Sequence, residues 1–393
     1  MSQKNVMIIG AGASGLVAAI VAARNGAKVT VLEHNEKPGK KIVATGNGKC
    51  NLTNIRMTMD AFRGNNTQIV SDVFEQFSME DTVKFFQELG IFFTDKNGYL
   101  YPRSGQASSV TDVLCMEAGN LGVKIKTNEH VTALIRTKDG WSVQTESWHY
   151  EGDAVILANG SCASNISGAD GSGYKLAEAL GHPIIKPLPA LTALKCKGKA
   201  YSGWAGVRIE GSASLFINGE FCCRESGELQ LTEYGISGIP IFQLSRYAIR
   251  ALDERKQVSV TLDFLPEMST EDFHIYLEKR RKNCPYKNEK ALLVGLFPEK
   301  LIKILCSRPN IEEAVKNFSL EISSGMSFEQ AQVCSGGVCV DEINFETLES
   351  KIQKGLFFAG ELLDIDGICG GYNLQWAWST GAVAGLHAAK ETK

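Results

Sequence analysis

Short apolar runs and a helical pattern alternate at the start of the chain. Asn5–Ile9 is an apolar run, Ala13–Asn25 repeats apolar residues as a helix does, and Lys28–Leu32 is a second apolar run. In this order the segments predict a strand, a helix and a second strand, which form a βαβ unit. Two more short apolar runs, Ala154–Leu157 and Leu356–Ala359, predict further strands much later in the chain. The pattern is typical of the α/β class with a Rossmann-type sheet.

The pattern changes at about Pro187. Apolar and polar residues then alternate in several short segments, which predicts strands and a β-barrel-like insert. Helical patterns follow, and a short alternating stretch precedes the return to the first domain. These changes predict five segments: 1–187, first part of a nucleotide-binding domain; 188–238, first part of the β-rich insert; 239–317, a helical module; 318–334, return of the β-rich insert; 335–393, second part of the nucleotide-binding domain.

Composition and charge narrow the class of protein. The 393 residues are 44% hydrophobic and carry a net charge of −3, so no global attraction to nucleic acid or an anionic membrane is expected. The eleven cysteines form no Cys-x-x-Cys pair and no zinc-ligand spacing, which indicates free thiols in a reducing cytoplasm. The uncharged stretches Val6–Ala23 and Gly367–Ala389 are broken by glycine and polar residues. We therefore expect a soluble cytoplasmic protein with no membrane partner.

A glycine turn joins the first predicted strand to the first predicted helix. Gly10-x-Gly12-x-x-Gly15 lies in the strand–turn–helix context that a dinucleotide site needs. Gly10 permits the tight turn, Gly12 lets backbone N–H groups approach phosphate, and Gly15 lets the helix pack on the strand. The helix N-terminus favours an anion. Glu33, at the end of the second strand, can accept hydrogen bonds from ribose hydroxyls.

The carboxyl-terminal part of the chain supplies a second group of candidates. Gly360-Glu361 follows an apolar strand, and Glu361 can accept a hydrogen bond from a ribityl hydroxyl. The last predicted helix begins near Asn373, and its N-terminus can stabilise negative charge on the pyrimidine edge of a reduced flavin. A cofactor held by both ends of the chain must be a long dinucleotide. This arrangement favours FAD over NAD.

Other candidates lie in the loops between these segments. The glycine- and lysine-rich loop 39–54 can close over the pyrophosphate and the flavin, or it is a solvated basic loop. Cys50 is either a packing residue or a residue at the flavin edge. Val131 begins a strand of the kind that clamps adenine, and Ala158-Asn159-Gly160 suits a close pass by the dinucleotide. The predicted FAD-binding residues are Gly10, Gly12, Ala13, Ser14, Gly15, Glu33, Lys40, Lys41, Gly46, Cys50, Asn51, Val131, Ala158, Gly160, Gly360, Glu361, Gly371, Tyr372, Asn373 and Leu374.

The sequence offers few candidates for acid–base catalysis. Tyr372 is a candidate proton donor near the flavin, and Arg103 is a candidate for binding an anionic or carbonyl substrate. A packed tyrosine and a surface arginine explain these residues at least as well. No metal site is predicted.

One local charge feature stands out between His274 and Lys303. The segment contains eight lysines and arginines and three acidic residues, which gives it a charge of +5. A basic helical segment can contact the phosphates of ribosomal RNA. A solvated helix face is the commoner explanation for such a segment.

The quoted motifs and three further strings resemble the BaiN/YhiN-like family of bacterial FAD flavoproteins, also described as aminoacetone-oxidase-like. The matching strings are 39–54, 101–110 (YPRSGQASSV), 231–238 (LTEYGISG) and 355–381, the last being the longest and most specific. The resemblance covers nearly the whole chain. It implies a split FAD-binding domain, a β-barrel-like insert and a helical module nested within that insert.

The resemblance also implies an FAD-dependent oxidoreductase. Members are associated with reduction of C=C bonds, either the conjugated enone of 3-oxo bile-acid intermediates or uridine in large-subunit ribosomal RNA, and others with amine oxidation. We predict reduction of an activated C=C bond in a small enone such as a 3-oxo-Δ4 steroid, with NADH or NADPH as the transient electron donor. The alternatives are a dihydrouridine synthase acting on 23S ribosomal RNA and an aminoacetone or amine oxidase.

Overall fold

The computed structural model describes residues 3–199 and 201–390, and these residues form two compact units. One unit comprises the chain up to Pro187 and from Val333 onward, and the other comprises Leu188–Gln332. The α-helices in chain order are α1 (Ala13–Arg24), α2 (Lys40–Ala44), α3 (Gln68–Gln76), α4 (Met79–Glu88), α5 (Ala107–Asn120), α6 (Ser172–Ala179), α7 (Ile239–Asp253), α8 (Thr270–Asn283), α9 (Glu289–Leu293), α10 (Glu299–Leu305), α11 (Ile311–Lys316) and α12 (Tyr372–Ala389).

The strands are distributed over both units. In chain order they are β1 (Asn5–Ile9), β2 (Lys28–Leu32), β3 (Thr53–Asn54), β4 (Phe62–Arg63), β5 (Phe93–Lys96), β6 (Tyr99–Pro102), β7 (Lys124–Lys126), β8 (Val131–Arg136), β9 (Trp141–Thr145), β10 (His149–Gly152), β11 (Ala154–Leu157), β12 (Ile184–Ala190), β13 (Leu194–Cys196), β14 (Arg208–Ile217), β15 (Glu220–Leu231), β16 (Gly235–Ser237), β17 (Val258–Asp263), β18 (Phe318–Gly325), β19 (Val333–Val338), β20 (Leu356–Phe358) and β21 (Asp366–Gly367).

A parallel sheet forms the centre of the first unit. Its strand order is β20-β11-β1-β2-β7, so a strand from the carboxyl-terminal part lies beside strands from the amino-terminal part. The apolar runs that predicted these strands are buried on both faces, as a parallel sheet covered by helices requires. The predicted Rossmann-type fold, split in sequence, is confirmed.

Close packing of α1 against α12 joins the two ends of the chain. A Cβ at Gly381 would lie 2.4 Å from the Ser14 carbonyl oxygen, and one at Gly385 would lie 2.4 Å from the Ala18 carbonyl oxygen. Only glycine therefore allows the two helix backbones to approach this closely. The first helix, which follows the glycine turn, is fixed by the last helix of the chain.

The second unit is built around a closed barrel. Its strand order is β13-β16-β15-β14-β17-β18, and α7 packs against several of these strands. Apolar side chains alternate along the barrel strands, as Val258, Val260 and Leu262 do on β17. The predicted barrel-like insert is confirmed. Helices α8 to α11 lie in sequence between two barrel strands, β17 and β18.

Two predicted segment boundaries differ from the structure. The range 239–317, predicted as a helical module, contains barrel strand β17 and the barrel-packed helix α7. The apolar residues of β17 alternate, which is typical of a strand. Helical patterns lie on both sides of it in the sequence, and the whole range was therefore predicted as helical. The range 318–334 was predicted to stay within the insert, yet β19 begins at Val333 and pairs with β12. None of the described helices is long and apolar enough to cross a membrane.

Candidate cofactor site

The three glycines of the first turn have different surroundings. A Cβ at Gly10 would lie 2.6 Å from the Ala158 carbonyl oxygen, and one at Gly15 would lie 1.9 Å from the Gly10 carbonyl oxygen. These two glycines are required by packing. A Cβ at Gly12 would meet no atom within 4 Å, so this glycine borders open space. The space in front of Gly12 is where backbone groups can approach a phosphate.

The N-terminus of α1 opens toward the same space. Gly12 is the N-cap and carries no side chain that could accept hydrogen bonds from the first turn. The first N–H groups of a helix have no acceptor within the helix, so those of Ala13 and Ser14 are suited to an anionic ligand. The positive end of the helix dipole acts in the same direction. This end of α1 fits a diphosphate.

Glu33 lies where a ribose acceptor is expected. Its carboxylate is buried and accepts hydrogen bonds from the Ala11 amide at 2.7 Å and from the Asn35 amide and side chain, each at 2.8 Å. A carboxylate offers about four lone-pair sites, so capacity for a ribose hydroxyl remains. Lys40 donates to Asn35 Oδ1 at 3.1 Å, which places Lys40 in the support of Glu33.

Val131 is brought close to Glu33 through the chain that precedes it. The Glu129 amide donates to the Glu33 carbonyl at 2.9 Å, and the imidazoles of His34 and His130 lie with their Nδ1 atoms 2.7 Å apart. Val131 itself is buried at the start of β8. The predicted adenine clamp is therefore adjacent to the predicted ribose acceptor.

Glu361 connects the carboxyl-terminal part with the amino-terminal loop. Its Oε2 atom lies 2.5 Å from Lys41 Nζ and accepts a hydrogen bond from Ser161 Oγ at 3.1 Å. The preceding Gly360 packs directly against Ser14, since a Cβ at Gly360 would lie 2.6 Å from Ser14 Oγ. Four predicted cofactor-binding residues (Ser14, Lys41, Gly360 and Glu361) thus lie together, although they come from opposite ends of the chain.

Buried polar atoms without partners lie in the loop after β11, in α6 and in β19. Within the described chain, Asn159 Oδ1, Ser164 Oγ, Tyr174 OH and Ser335 Oγ are buried and have no hydrogen-bond partner. Buried polar atoms are normally satisfied by protein, water or ligand. A Cβ at Gly160 would meet nothing within 4 Å, whereas Ala158 packs against Gly10. The open glycine and the unsatisfied Asn159 fit the close passage of a dinucleotide.

Cys50 is a packing residue. Its side chain is fully buried, and burial raises the pKa of the thiol to about 12, so Cys50 stays protonated at neutral pH. The backbone at Cys50 has φ 54°, and its amide donates to the Thr45 carbonyl at 3.1 Å. Gly46 belongs to the same turn and also has a positive φ, of 56°. The structure gives no support to thiolate chemistry at Cys50.

The segment after Cys50 holds the start of α12. The groups around Asn51 require its side-chain oxygen to accept from the Gly371 amide at 3.3 Å and its side-chain nitrogen to donate to the Thr53 carbonyl at 3.0 Å. A Cβ at Gly371 would lie 2.8 Å from the Thr53 carbonyl carbon, so glycine is required at this position. Loop 39–54 therefore packs on the N-terminus of the last helix.

The first turn of α12 contains one side chain that bonds within the protein and several backbone N–H groups that have no helical acceptor. The Asn373 side chain accepts from the Gly367 amide and donates to the Gly367 carbonyl, each at 2.8 Å, and so fixes the preceding loop. That side chain is used within the protein. The backbone N–H groups of Tyr372, Asn373 and Leu374 lie in the first turn, where no helical acceptor exists. These amides are the atoms that can stabilise negative charge on a bound flavin.

The hydroxyl of Tyr372, which was predicted as a proton donor, is already hydrogen-bonded within the protein. The phenol is 6% exposed and donates to the Arg56 carbonyl at 3.1 Å, and its ring packs edge-on against Phe62. Burial raises the pKa of this phenol. The structure assigns the side chain to packing, in place of the predicted proton transfer.

Replacing Tyr372 with phenylalanine should therefore have a small effect. Loss of one neutral hydrogen bond costs about 1 kcal/mol of unfolding free energy, and the flavin content should stay at the wild-type level. Chemical denaturation and absorbance of the purified protein measure the two quantities. A hundredfold loss of turnover with normal flavin content would restore Tyr372 as a proton donor.

Arg103 and two tyrosines lie on or next to β6. Arg103 is exposed, and no side chain of the described residues binds its guanidinium. Tyr99 is closer to the site, because a Cβ at Gly370 would lie 2.6 Å from Tyr99 Cε1. Tyr101 lies beside Gly46, and burial is the main cause of its raised pKa. Neither phenol was predicted as a site residue, although Tyr101 lies within the 101–110 string and Tyr99 lies two residues before it.

Comparisons with known proteins identify the family. Residues 4–387 match the family described as HI0933-like protein Rossmann domain. A 3-dehydro-bile acid delta(4,6)-reductase from Clostridium scindens is 43% identical, over 99% of this chain and 100% of that protein. Ribosomal RNA dihydrouridine synthases from Haemophilus influenzae and Escherichia coli are 28% and 26% identical, over 98% and 97% of this chain and 98% and 96% of those proteins.

Solved structures agree on the fold. A 3-ketosteroid-delta4-(5alpha)-dehydrogenase from Rhodococcus jostii, in complex with 4-androstene-3,17-dione, has a TM-score of 0.54 at 16% identity and covers 99% of this chain and 97% of its own. A flavocytochrome c3 fumarate reductase has a TM-score of 0.55 at 17% identity, over 99% of this chain and 78% of its own. At these identities the likeness concerns the fold alone. The full-length family match and the 43% identical relative show that this chain belongs to the HI0933-like (BaiN/YhiN-like) flavoprotein family.

Proposed function

We propose that this protein is a cytoplasmic FAD-dependent reductase that saturates a C=C bond conjugated to the ketone of a 3-oxo bile-acid-like steroid. NADH or NADPH serves as the electron donor. The observation that carries the proposal is the 43% identity, over the full length of both chains, to a protein named 3-dehydro-bile acid delta(4,6)-reductase. The chain is an oxidoreductase of this family, as the sequence analysis predicted.

The residues of the site divide the binding of FAD among them. The amides of Gly12, Ala13 and Ser14 hold the diphosphate, and Glu33 accepts from the adenosine ribose. Glu361 accepts from the ribityl chain, with Lys41 balancing its charge. FAD, when bound and reduced, supplies the hydride that adds to the β-carbon of the enone. The N-terminus of α12 stabilises the negative charge of the reduced cofactor.

A proton must also reach the α-carbon of the substrate. Tyr99 and Tyr101 are the phenols that the structure brings beside the start of α12 and the 39–54 loop. Arg103 follows β6 directly in the chain. We assign to Arg103 the binding of an anionic or carbonyl group of the substrate, and to one of these phenols or a water the donation of the proton. Tyr101, whose pKa is raised, keeps its proton at neutral pH.

Ribosomal RNA is the second candidate substrate, since two relatives are named dihydrouridine synthases. The basic segment 274–303 is the feature that would bind it. Several of its cations are already paired within the second unit: Arg281 with Glu278 and Glu289, Lys303 with Glu299, and Lys300 with the Ala205 carbonyl. The three glutamates in these pairs are already counted in the net charge of +5, so the segment keeps that charge. The higher identity to the bile-acid reductase, 43% against 28% and 26%, is what favours the small enone.

Salt dependence separates these two substrates. Enone reduction should change by less than about twofold between 50 and 200 mM salt, because few ions are displaced when a small steroid binds. A protein that used this segment on RNA would lose about 10³-fold or more in affinity over the same range. Initial rates on a 3-oxo-Δ4 steroid and filter binding of 23S ribosomal RNA measure the two quantities. Salt-sensitive tight binding of RNA, with no turnover of the enone, would overturn the assignment.

An acceptor panel tests the proposed function as a whole. The purified protein is reduced anaerobically with NADH or NADPH, and a 3-oxo-4,6-dienoic bile acid, a 3-oxo-Δ4 steroid, uridine-containing RNA or oxygen is then added. We expect the steroid acceptors to return the flavin absorbance fastest. Hydrogen peroxide formed from aminoacetone without nicotinamide would instead identify an amine oxidase, and fastest reoxidation by RNA would identify a dihydrouridine synthase.

A further inference from the structure

One face of β6 carries aromatic rings and positive charge. Side chains alternate between the two faces of a strand, and the second and fourth residues of β6 are buried, whereas Tyr99 is exposed and Tyr101 is half-buried. Lys96 of β5 is paired with Tyr99, and its ammonium lies 5.4 Å from the centre of the Tyr101 ring. Arg103 follows Tyr101 at the same spacing of two residues. We call these four residues the β6 face.

Arg56 lies at the start of the β6 face. A Cβ at Gly98, the residue before Tyr99, would lie 3.3 Å from Arg56 Nε, so the guanidinium lies against the turn between β5 and β6. The Ile55 amide donates to the Gly98 carbonyl at 2.9 Å. The Ile55 side chain is 49% exposed and that of Tyr99 is 36% exposed. An exposed cation and exposed apolar side chains therefore lie together here.

The backbone of Arg56 is fixed to the start of α12. Its amide donates to Asn54 Oδ1 at 2.9 Å, and its carbonyl accepts from the Tyr372 hydroxyl at 3.1 Å. The Asn54 side chain donates to the Gly370 carbonyl at 3.1 Å. Tyr99 packs on Gly370 as well, since a Cβ there would lie 2.6 Å from Tyr99 Cε1. The β6 face is thus continuous with the segment to which we assign the flavin.

The guanidinium of Arg56 has no partner among the described residues, although its backbone is held on both sides. Arg24, in the same unit, instead forms ion pairs with two glutamates. Asp95 is the acidic residue of the β5–β6 hairpin, and its carboxylate accepts from the Gly98 amide at 2.6 Å without forming an ion pair with Arg56. A well-positioned arginine without an internal partner is available to an anionic ligand.

We propose that the β6 face binds the steroid substrate and that Arg56 binds its carboxylate. This inference rests on the proposed function, because a 3-oxo bile acid carries a ketone at one end of an apolar skeleton and a carboxylate at the other. Arg56 and Arg103 lie near opposite ends of β6, and the backbones of Gly98 and Arg103 are about 16 Å apart along an extended strand. That span is comparable to the length of a steroid with its side chain.

The chemistry of the β6 face matches such a ligand. A guanidinium binds a carboxylate through two parallel hydrogen bonds, which a lysine cannot reproduce. The rings of Tyr99 and Tyr101 offer apolar surface to the skeleton. With the carboxylate at Arg56, the carbonyl group falls to Arg103. Arg56 therefore makes the enzyme prefer steroid acids to neutral steroids.

A matched pair of ligands tests this role. The FAD-loaded protein, without nicotinamide, is dialysed to equilibrium against 3-oxo-4-cholenoic acid or its methyl ester, which differ in charge at the carboxyl end. We expect the wild-type protein to bind the acid about fivefold more tightly than the ester, as one exposed ion pair allows. Arg56→Gln should weaken binding of the acid by the same factor and leave binding of the ester unchanged.

Two further variants separate the position from the charge. Arg56→Lys keeps the charge but loses the paired hydrogen bonds, so it should retain only part of the preference. Lys138→Gln removes one positive charge from an exposed turn between β8 and β9, and it should bind both ligands as the wild type does. Flavin content and circular dichroism show that each variant is folded.

Equal affinity of the wild-type protein for acid and ester, or an unchanged preference in Arg56→Gln, would overturn the role of Arg56. If the protein still reduces the enone with NADH or NADPH, the proposed function stands and only this assignment falls. A preference that Arg56→Gln abolishes, in protein that reduces neither ligand, would support the binding site and reject the reductase. Binding of neither ligand would overturn both.

Discussion

Replacing Gly12 with valine is expected to give a folded protein that no longer retains FAD. A Cβ at Gly12 would meet no protein atom within 4 Å, and the backbone there has φ −84°, which any residue can adopt. The valine side chain therefore fits the protein but fills the space assigned to the diphosphate. Loss of two amide–phosphate hydrogen bonds, at about 1.5–3 kcal/mol each, weakens FAD binding by about 100-fold or more.

Two matched variants show whether this effect belongs to the phosphate site. Gly119→Val, at an exposed glycine of α5 with nothing within 4 Å, should keep normal flavin content. Gly15→Val should destabilise the flavin-free chain as well, because its Cβ would lie 1.9 Å from the Gly10 carbonyl oxygen. The measurements are FAD absorbance per chain after gel filtration and denaturation of the flavin-free proteins. Wild-type absorbance in Gly12→Val would show that the diphosphate is not held here.

Replacing Gly381 with leucine is expected to destabilise the first unit severely. A Cβ at this position would lie 2.4 Å from the Ser14 carbonyl oxygen, and the contact joins two helix backbones that cannot move independently. Overpacking of a core costs about 1–3 kcal/mol, and a clash with backbone falls at or above the upper end of that range. The start of α1 would shift with the helix, so FAD binding should fail together with folding.

A graded series strengthens this test. Gly381→Ala should lose part of the stability and Gly381→Leu more, whereas Gly119→Leu on an exposed helix face should lose little. The free energy of unfolding from chemical denaturation, read by circular dichroism, gives the order. Equal stability of Gly381→Leu and Gly119→Leu would show that α1 and α12 do not pack as described.

Sequence patterns predicted the part of the fold that depends on burial. The runs at Asn5–Ile9 and Ala154–Leu157 became strands with those bounds, because strands covered on both faces must be apolar throughout. Helix α10 (Glu299–Leu305) lies within the range 239–317, which was predicted to be helical. Strand β17 was missed, since its six residues lie between helical segments and pair only with distant strands of the barrel.

Residues of the candidate site could be predicted from the sequence, but their contacts could not, because the spacing of residues does not reveal hydrogen-bond partners. The sequence predicted Tyr372 as a possible acid. The hydrogen bond from its hydroxyl to the Arg56 carbonyl could not be predicted, because it depends on the position of a loop that is distant in sequence. The distinction between the open position of Gly12 and the packed position of Gly15 likewise requires neighbouring atoms. Glu361 was identified from its place after a strand, whereas its pairing with Lys41 appears only when both chain ends are together.

Hydrogen–deuterium exchange with and without FAD tests most directly whether both ends of the chain hold one cofactor. The flavin-free protein is compared with protein saturated with FAD, and exchange is followed in peptides covering residues 12–15 and 371–374. We predict that FAD slows exchange of both amide groups together and at the same FAD concentration. Protection of the first segment alone, or of neither segment, would contradict the account.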